Sequence, residues 1–123
     1  MCHVLIIEDE VLIALDLQEM LASAGATTFS FAETERGAVD AARRLRPDVI
    51  MSDVTLREGT GPDAVATIHA EFGPLPVIYL TATPEACAQC DPPVRVLSKP
   101  VAPRALCEAF RAVAPHQSGM RQG

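Results

Sequence analysis

The chain has 123 residues, 49% of them hydrophobic and 21% charged, with a formal net charge of −6. That length and apolar content predict one domain with a full core and exclude wholesale disorder. No apolar run approaches the roughly 20 residues of a membrane span, no basic segment leads an apolar one as a secretory signal requires, and an acidic chain without a basic stripe argues against direct nucleic-acid binding.

Short apolar runs alternate with amphipathic stretches. His3–Ile7 reads as a buried strand by its length and β-branching. Val11–Ala24 carries Ile13, Leu17, Met20, Leu21 and Ala24 at helical spacing, and Gly25 is the expected stop. Thr27–Phe31 alternates, with Phe29 and Phe31 two apart, as an edge strand with one wet face does. Thr34–Leu45 sets Ala38, Ala42 and Leu45 on one helical face. Arg43, Arg44 and Arg46 suit the negative end of its dipole, and Pro47 stops it.

Val49–Ser52 is a second buried run, followed by a turn at Glu58-Gly59-Thr60-Gly61. Pro62 suits a helix start, and Val65, Ile68 and Phe72 form the next stripe, ended by Gly73 and Pro74. Pro76–Leu80 and Val94–Leu97 are two further strands. Pro103 opens a last helix with Leu106, Ala109, Phe110 and Val113 on one face, and Pro115 closes it.

Five strand–helix units in strict alternation predict a parallel sheet covered on both faces. The fourth unit is the odd one. Thirteen residues separate Leu80 from Val94, among them Pro84, Pro92 and Pro93. A parallel crossover needs roughly a dozen, so its helix is confined to a turn or two around Pro84–Gln89. The expected organisation is a folded domain over residues 1–114 and a flexible tail over 115–123.

In such a sheet, ligands bind beyond the C-terminal ends of the strands. Glu8, Asp9 and Glu10 follow the first apolar run, Asp53 the third, Thr81 to Thr83 the fourth, and Ser98, Lys99 and Pro100 the fifth. Lys99 is the only lysine among ten basic residues. Carboxylates gathered at one edge repel unless a cation neutralises them, and an all-oxygen set suits Mg²⁺. An ammonium and a hydroxyl opposite them would hold the oxygens of a phosphoryl group.

Other motifs read blandly. Cys2, Cys87, Cys90 and Cys107 are too few and irregular for a secreted disulfide scaffold, which with the absent span and signal leads to a cytoplasmic expectation. Cys87-Ala-Gln-Cys90 has no second pair to complete a zinc site, so inert thiols are expected. Gly59-Thr60-Gly61 reads as a turn rather than a phosphate loop. His3, His69 and His116 are scattered and form no triad.

The strings LIIEDE, VIMSD, YLTA and LSKP, each at a strand end, resemble the receiver domain of two-component response regulators over residues 3 to 114. That resemblance implies an α/β fold, a (βα)5 flavodoxin-like three-layer sandwich with parallel sheet order 2-1-3-4-5. It implies that Asp53 takes a phosphoryl group from a kinase phosphohistidine. Mg²⁺ would be bound by Asp9, Asp53 and the Thr55 backbone carbonyl, with Glu8 helping through a water. Thr81 would hydrogen-bond the phosphoryl oxygen, Lys99 would pair with Asp53 and then with the phosphoryl group, and Pro100 would follow a cis peptide. Such a protein is a signalling component rather than an enzyme, although it promotes its own phosphorylation and dephosphorylation. Its partners would be a sensor histidine kinase or a phosphotransfer protein, and a downstream protein target. Output by protein contacts, or as a phosphate sink, fits the stand-alone type expected here.

The chain also departs from the family pattern. Val96 stands where many receivers carry an aromatic that swings on activation, and Arg57 where many have proline. The short fourth unit resembles that of a subgroup paired with kinases of the HWE or related type. Without the aromatic, the expected mover is Thr83–Pro93, and Thr55 and Thr83 are expected to flank the water path to the acyl phosphate. A receiver-like docking module that works without phosphorylation is the alternative reading. An aspartyl phosphatase is disfavoured because Thr55 stands where a second aspartate would follow Asp53.

Overall fold

The computed structural model of the chain describes residues 2–82 and 94–114. Its elements run β1 (His3–Ile7), α1 (Val11–Ala24), β2 (Thr28–Ala32), α2 (Glu35–Arg44), β3 (Val49–Asp53), α3 (Gly61–Phe72), β4 (Val77–Thr81), β5 (Val94–Ser98) and α4 (Pro103–Val113). The strands form one parallel sheet in the order β2-β1-β3-β4-β5. The order expected from the resemblance is therefore observed. The expected helix around Pro84–Gln89, the mover Thr83–Pro93, the pair Cys87 and Cys90, and the tail 115–123 lie outside the described residues.

Strand composition explains the layers. Every residue of β1, β3 and β4 is buried, as the unbroken apolar runs require of strands covered on both faces. Side chains alternate between two cores. Val4, Ile6, Val49, Met51, Ile78 and Leu80 face Ala14, Leu17 and Leu21 of α1 and Leu106, Ala109 and Phe110 of α4. Leu5, Ile7, Ile50, Val77 and Tyr79 face Ala38, Ala41 and Ala42 of α2 and Ala64, Val65 and Ile68 of α3. Val96 packs against the second core, directly across from Tyr79 in the β4–β5 register.

Helix ends follow local chemistry. Thr34 caps α2, its hydroxyl accepting from the Gly37 N–H at 3.0 Å, and Thr60 caps α3, accepting from the Asp63 N–H at 3.1 Å. Gly25 ends α1 with φ +122, a conformation that side-chain-bearing residues avoid. Two sequence expectations shift. Leu45 is not part of the α2 stripe: it is the extended C-cap and 54% exposed. β2 lies one residue later than Thr27–Phe31, and while Phe29 packs on the α1–α4 core, Phe31 is 46% exposed at the sheet edge.

The strand order reverses between β1 and β3, because the chain leaves β1 for β2 on one side and returns to β3 on the other. That switch point opens a crevice beyond the strand ends, and β1 and β3 deliver Glu8, Asp9 and Asp53 to it.

Candidate functional site

β3 extends one residue past its apolar run, so Asp53 is itself a ladder residue, paired with Leu80 of β4. Its backbone is held tightly. The Ser52 hydroxyl, fully buried, donates to the Asp53 carbonyl at 2.8 Å. Gly61 opens α3 against the same carbonyl, and a Cβ there would collide with Asp53 O and Ser52 Oγ. Only glycine lets the helix start so close to the strand end.

The Lys99 ammonium donates to Asp53 Oδ2 at 3.0 Å and stands 3.8 Å from Glu8 Oε1. The Lys99 N–H donates to the Thr81 carbonyl at 3.0 Å, tying the lysine to the end of β4, and the Lys99–Pro100 peptide is cis. Thr81 is buried beside this group and pairs with Ser98 in the β4–β5 ladder. Glu8, Asp53, Thr81 and Lys99 therefore come together as the strand-end argument requires. The Thr55 side chain is exposed, and its backbone forms an isolated antiparallel bridge with Thr60 across the loop.

Burial shapes the titration of the cluster. Glu8 is 3% exposed. Burial pushes its carboxyl up to about 7; the Glu10 N–H opposes this, the charge of Asp53 adds to it, and Lys99 opposes it. Burial also raises Asp53, against the hydrogen bond and charge of Lys99, with Asp9 adding to the rise. Burial alone would lower Lys99, but the hydrogen bond and charge of Asp53, with Glu8 and Glu10, carry it above the ordinary lysine value. One ammonium does not neutralise the carboxylates gathered around it.

The Glu10 N–H donates to Glu8 Oε2 at 3.1 Å. Glu8 Oε1 is buried and has no hydrogen-bond partner among the described residues. An orphaned carboxylate oxygen is costly unless a cation completes it. Carboxylate oxygens of Glu8, Asp9 and Glu10 can lie within 4.8 Å of one another. This acidic oxygen set fits a hard divalent cation. Glu10 lies outside the metal set expected from the sequence, because that set followed the family's motif and nothing in the string shows which of three consecutive acids converge. Among the described residues no helix is long and apolar enough to cross a membrane.

The profile of the response regulator receiver domain matches residues 4–111, and the chain belongs to that family, the receivers of two-component signalling. Among curated proteins it is similar to the phyllosphere-induced regulator PhyR of Methylorubrum extorquens, at 38% identity over 105 residues, which is 82% of this chain and 39% of that protein. It is also similar to the transcriptional regulatory protein PdtaR of Mycobacterium tuberculosis, at 39% identity over 80 residues, covering 65% of this chain and 38% of that one. The chain thus spans well under half the length of these relatives. Among solved structures, the PhyR receiver domain of Erythrobacter litoralis matches with a TM-score of 0.81 and 30% identity, covering 91% of this chain and 88% of that one. The Vibrio cholerae chemotaxis protein CheY4 matches with a TM-score of 0.81 and 28% identity, over 92% of this chain and 98% of that one.

Proposed function

We propose that the chain is a phospho-receiver in which Asp53 accepts a phosphoryl group from a phosphohistidine on a sensor histidine kinase or phosphotransfer protein. The observation that carries this reading is the 3.0 Å contact between the Lys99 ammonium and Asp53 Oδ2 at the end of a fully buried strand. Lys99 holds one carboxylate oxygen, which leaves Oδ1 to attack. The new P–O bond forms at Asp53 as the P–N bond to the donor imidazole breaks and its electron pair returns to the ring. Lys99 then follows the transferred charge, and the Thr81 hydroxyl is the donor for a phosphoryl oxygen. Transfer of this kind is mostly positioning and charge neutralisation.

Asp9 and Asp53, the Thr55 carbonyl and, through a water, Glu8 would hold Mg²⁺, which when bound neutralises charge on the phosphoryl oxygens. Output then passes through contacts with a downstream protein, or the chain drains phosphoryl groups from a kinase. Incubation with acetyl phosphate and Mg²⁺ tests the reading. The parent should gain one acid-stable, base-labile phosphoryl group and Asp53→Asn none. An Asp53→Asn protein that labels like the parent refutes the assignment, and an unlabelled parent favours a docking module that works without phosphorylation.

A further inference from the structure

α2 begins against the loop that leaves Asp53, and its first residue, Glu35, meets that loop through both backbone and side chain. The Glu35 N–H donates to the Glu58 carbonyl at 3.1 Å. Its carboxylate Oε1 accepts from the Thr60 N–H at 3.3 Å. Its side chain also lies against the bare α-carbon of Gly59, φ +84, where a Cβ would stand 2.5 Å from Glu35 Cβ. A single residue on a different element thus meets three successive loop residues, Glu58 through its backbone and Gly59 and Thr60 through its side chain.

Thr60 passes the restraint on. It bridges Thr55, its hydroxyl caps α3, and the next N–H, of Gly61, donates to the Val54 carbonyl at 2.9 Å. Among the described residues little else holds the loop. Thr55, Arg57, Glu58 and Gly59 are exposed, and Leu56 is its buried anchor. The Arg57–Glu33 pair spans 4.0 Å between exposed side chains and contributes little. Segments with so few buried contacts open easily, so an added backbone hydrogen bond has a large effect on where the loop sits.

We propose that Glu35 is a positioning residue for the phosphoacceptor site, acting through Thr60 to hold the loop that presents the Thr55 carbonyl. The inference rests on the reading of Asp53 as phosphoacceptor with Mg²⁺ beside it. Mg²⁺ demands near-ideal octahedral geometry, so a carbonyl that wanders costs affinity. Asp53 itself is fixed separately, by Ser52 and Gly61. Loss of Glu35 therefore falls on ion affinity and leaves the nucleophile in place.

The test compares Glu35→Ala, Glu35→Asp and Glu35→Gln with the parent by Mg²⁺ titration and acetyl phosphate labelling. Asp keeps the charge at the start of α2 but falls one methylene short of Thr60; Gln keeps the acceptor oxygen. Ala and Asp should weaken Mg²⁺ binding about tenfold, with the labelling rate at saturating Mg²⁺ close to the parent's, while Gln stays close in both. Ala and Asp proteins that bind Mg²⁺ like the parent, or a Gln protein as weak as Ala, overturn the proposal. Amide exchange at Thr60, measured without ion or donor, should quicken in Ala and Asp and not in Gln; unchanged exchange overturns it as well. A parent that neither binds Mg²⁺ nor labels overturns the Asp53 reading and the ion-holding role with it, while exchange at Thr60 still reports whether Glu35 holds the loop.

Discussion

At the scale of single residues, Asp9 and Glu8 are neighbours in the chain with different surroundings. The Glu8 side chain has no exposure, whereas Asp9 is half-buried at the mouth of the crevice. A hydrated ion would reach Asp9 directly, while the buried Glu8 oxygen, without a hydrogen bond and 3.8 Å from the Lys99 ammonium, would answer it through a water. Asp9→Ala should nearly abolish Mg²⁺ binding in a titration, and Glu8→Ala should weaken it by about tenfold, as loss of an indirect partner does. Equal losses would contradict the ranking. Position was legible in the sequence here: Asp53, Thr81 and Lys99 stand at strand ends, and strand ends were visible as the limits of apolar runs. Burial of the Glu8 carboxylate was not legible, since an acid after a strand is as easily solvated. Nor was Glu35. Its contacts cross 25 residues of chain to Thr60, and no local pattern announces an approach between a helix start and a loop.

At the scale of elements, some helices are legible in the sequence to the residue and the strand ends are less so. α1 spans Val11–Ala24 as expected, and the last helix opens at Pro103 and stops before Pro115 as expected, because a 3.6-residue period is redundant over three turns. β3, β4 and β5 each run one residue past the apolar run, onto Asp53, Thr81 and Ser98. Ladder hydrogen bonds are made by the backbone and do not distinguish a polar side chain from an apolar one. At the other end of the sheet, β1 is joined to the edge strand β2 by His3. Its Nδ1 lies 2.8 Å from the Thr28 hydroxyl and its Nε2 2.7 Å from the Ser30 hydroxyl, and its N–H donates to Asp48 Oδ2 at 2.8 Å. Burial lowers the His3 pKa below its ordinary 6.5, against the charge of Asp48. As pH falls through 6.5, the unfolded chain takes up a proton that the folded chain resists, so this histidine costs stability increasingly until its folded pKa is passed. Glu8 and Asp53, whose folded values are raised, act in the opposite sense, so a comparison is needed to isolate His3. In urea unfolding at pH 7.5 and 5.5, the stability of the parent relative to His3→Gln should fall on acidification. A difference that stays constant would show that the ring does not titrate between the two states.

At the scale of the whole molecule, the two cores share one sheet. β1, β3 and β4 are buried on both faces, so neither helical layer can leave without exposing strands that the other layer also needs. That arrangement predicts a single cooperative transition, and the chain carries its own probe. It has one tyrosine and no tryptophan, and Tyr79 is buried in the core under α2 and α3. Phe110 is buried in the opposite core, between α4 and the sheet. Phe110→Ala removes a large buried ring and should cost about 3–5 kcal/mol, which lowers the melting temperature of a domain this size by roughly 10 °C or more. Among the described residues, Phe110 and Tyr79 belong to different cores on opposite faces of the sheet. If the layers unfold together, tyrosine fluorescence and far-ultraviolet circular dichroism should nevertheless shift by the same amount and keep coincident midpoints. If the layers were independent, fluorescence would hold its parental midpoint while the dichroism broadened into two steps. The common sheet would then be a scaffold for two separate cores rather than the element that joins them.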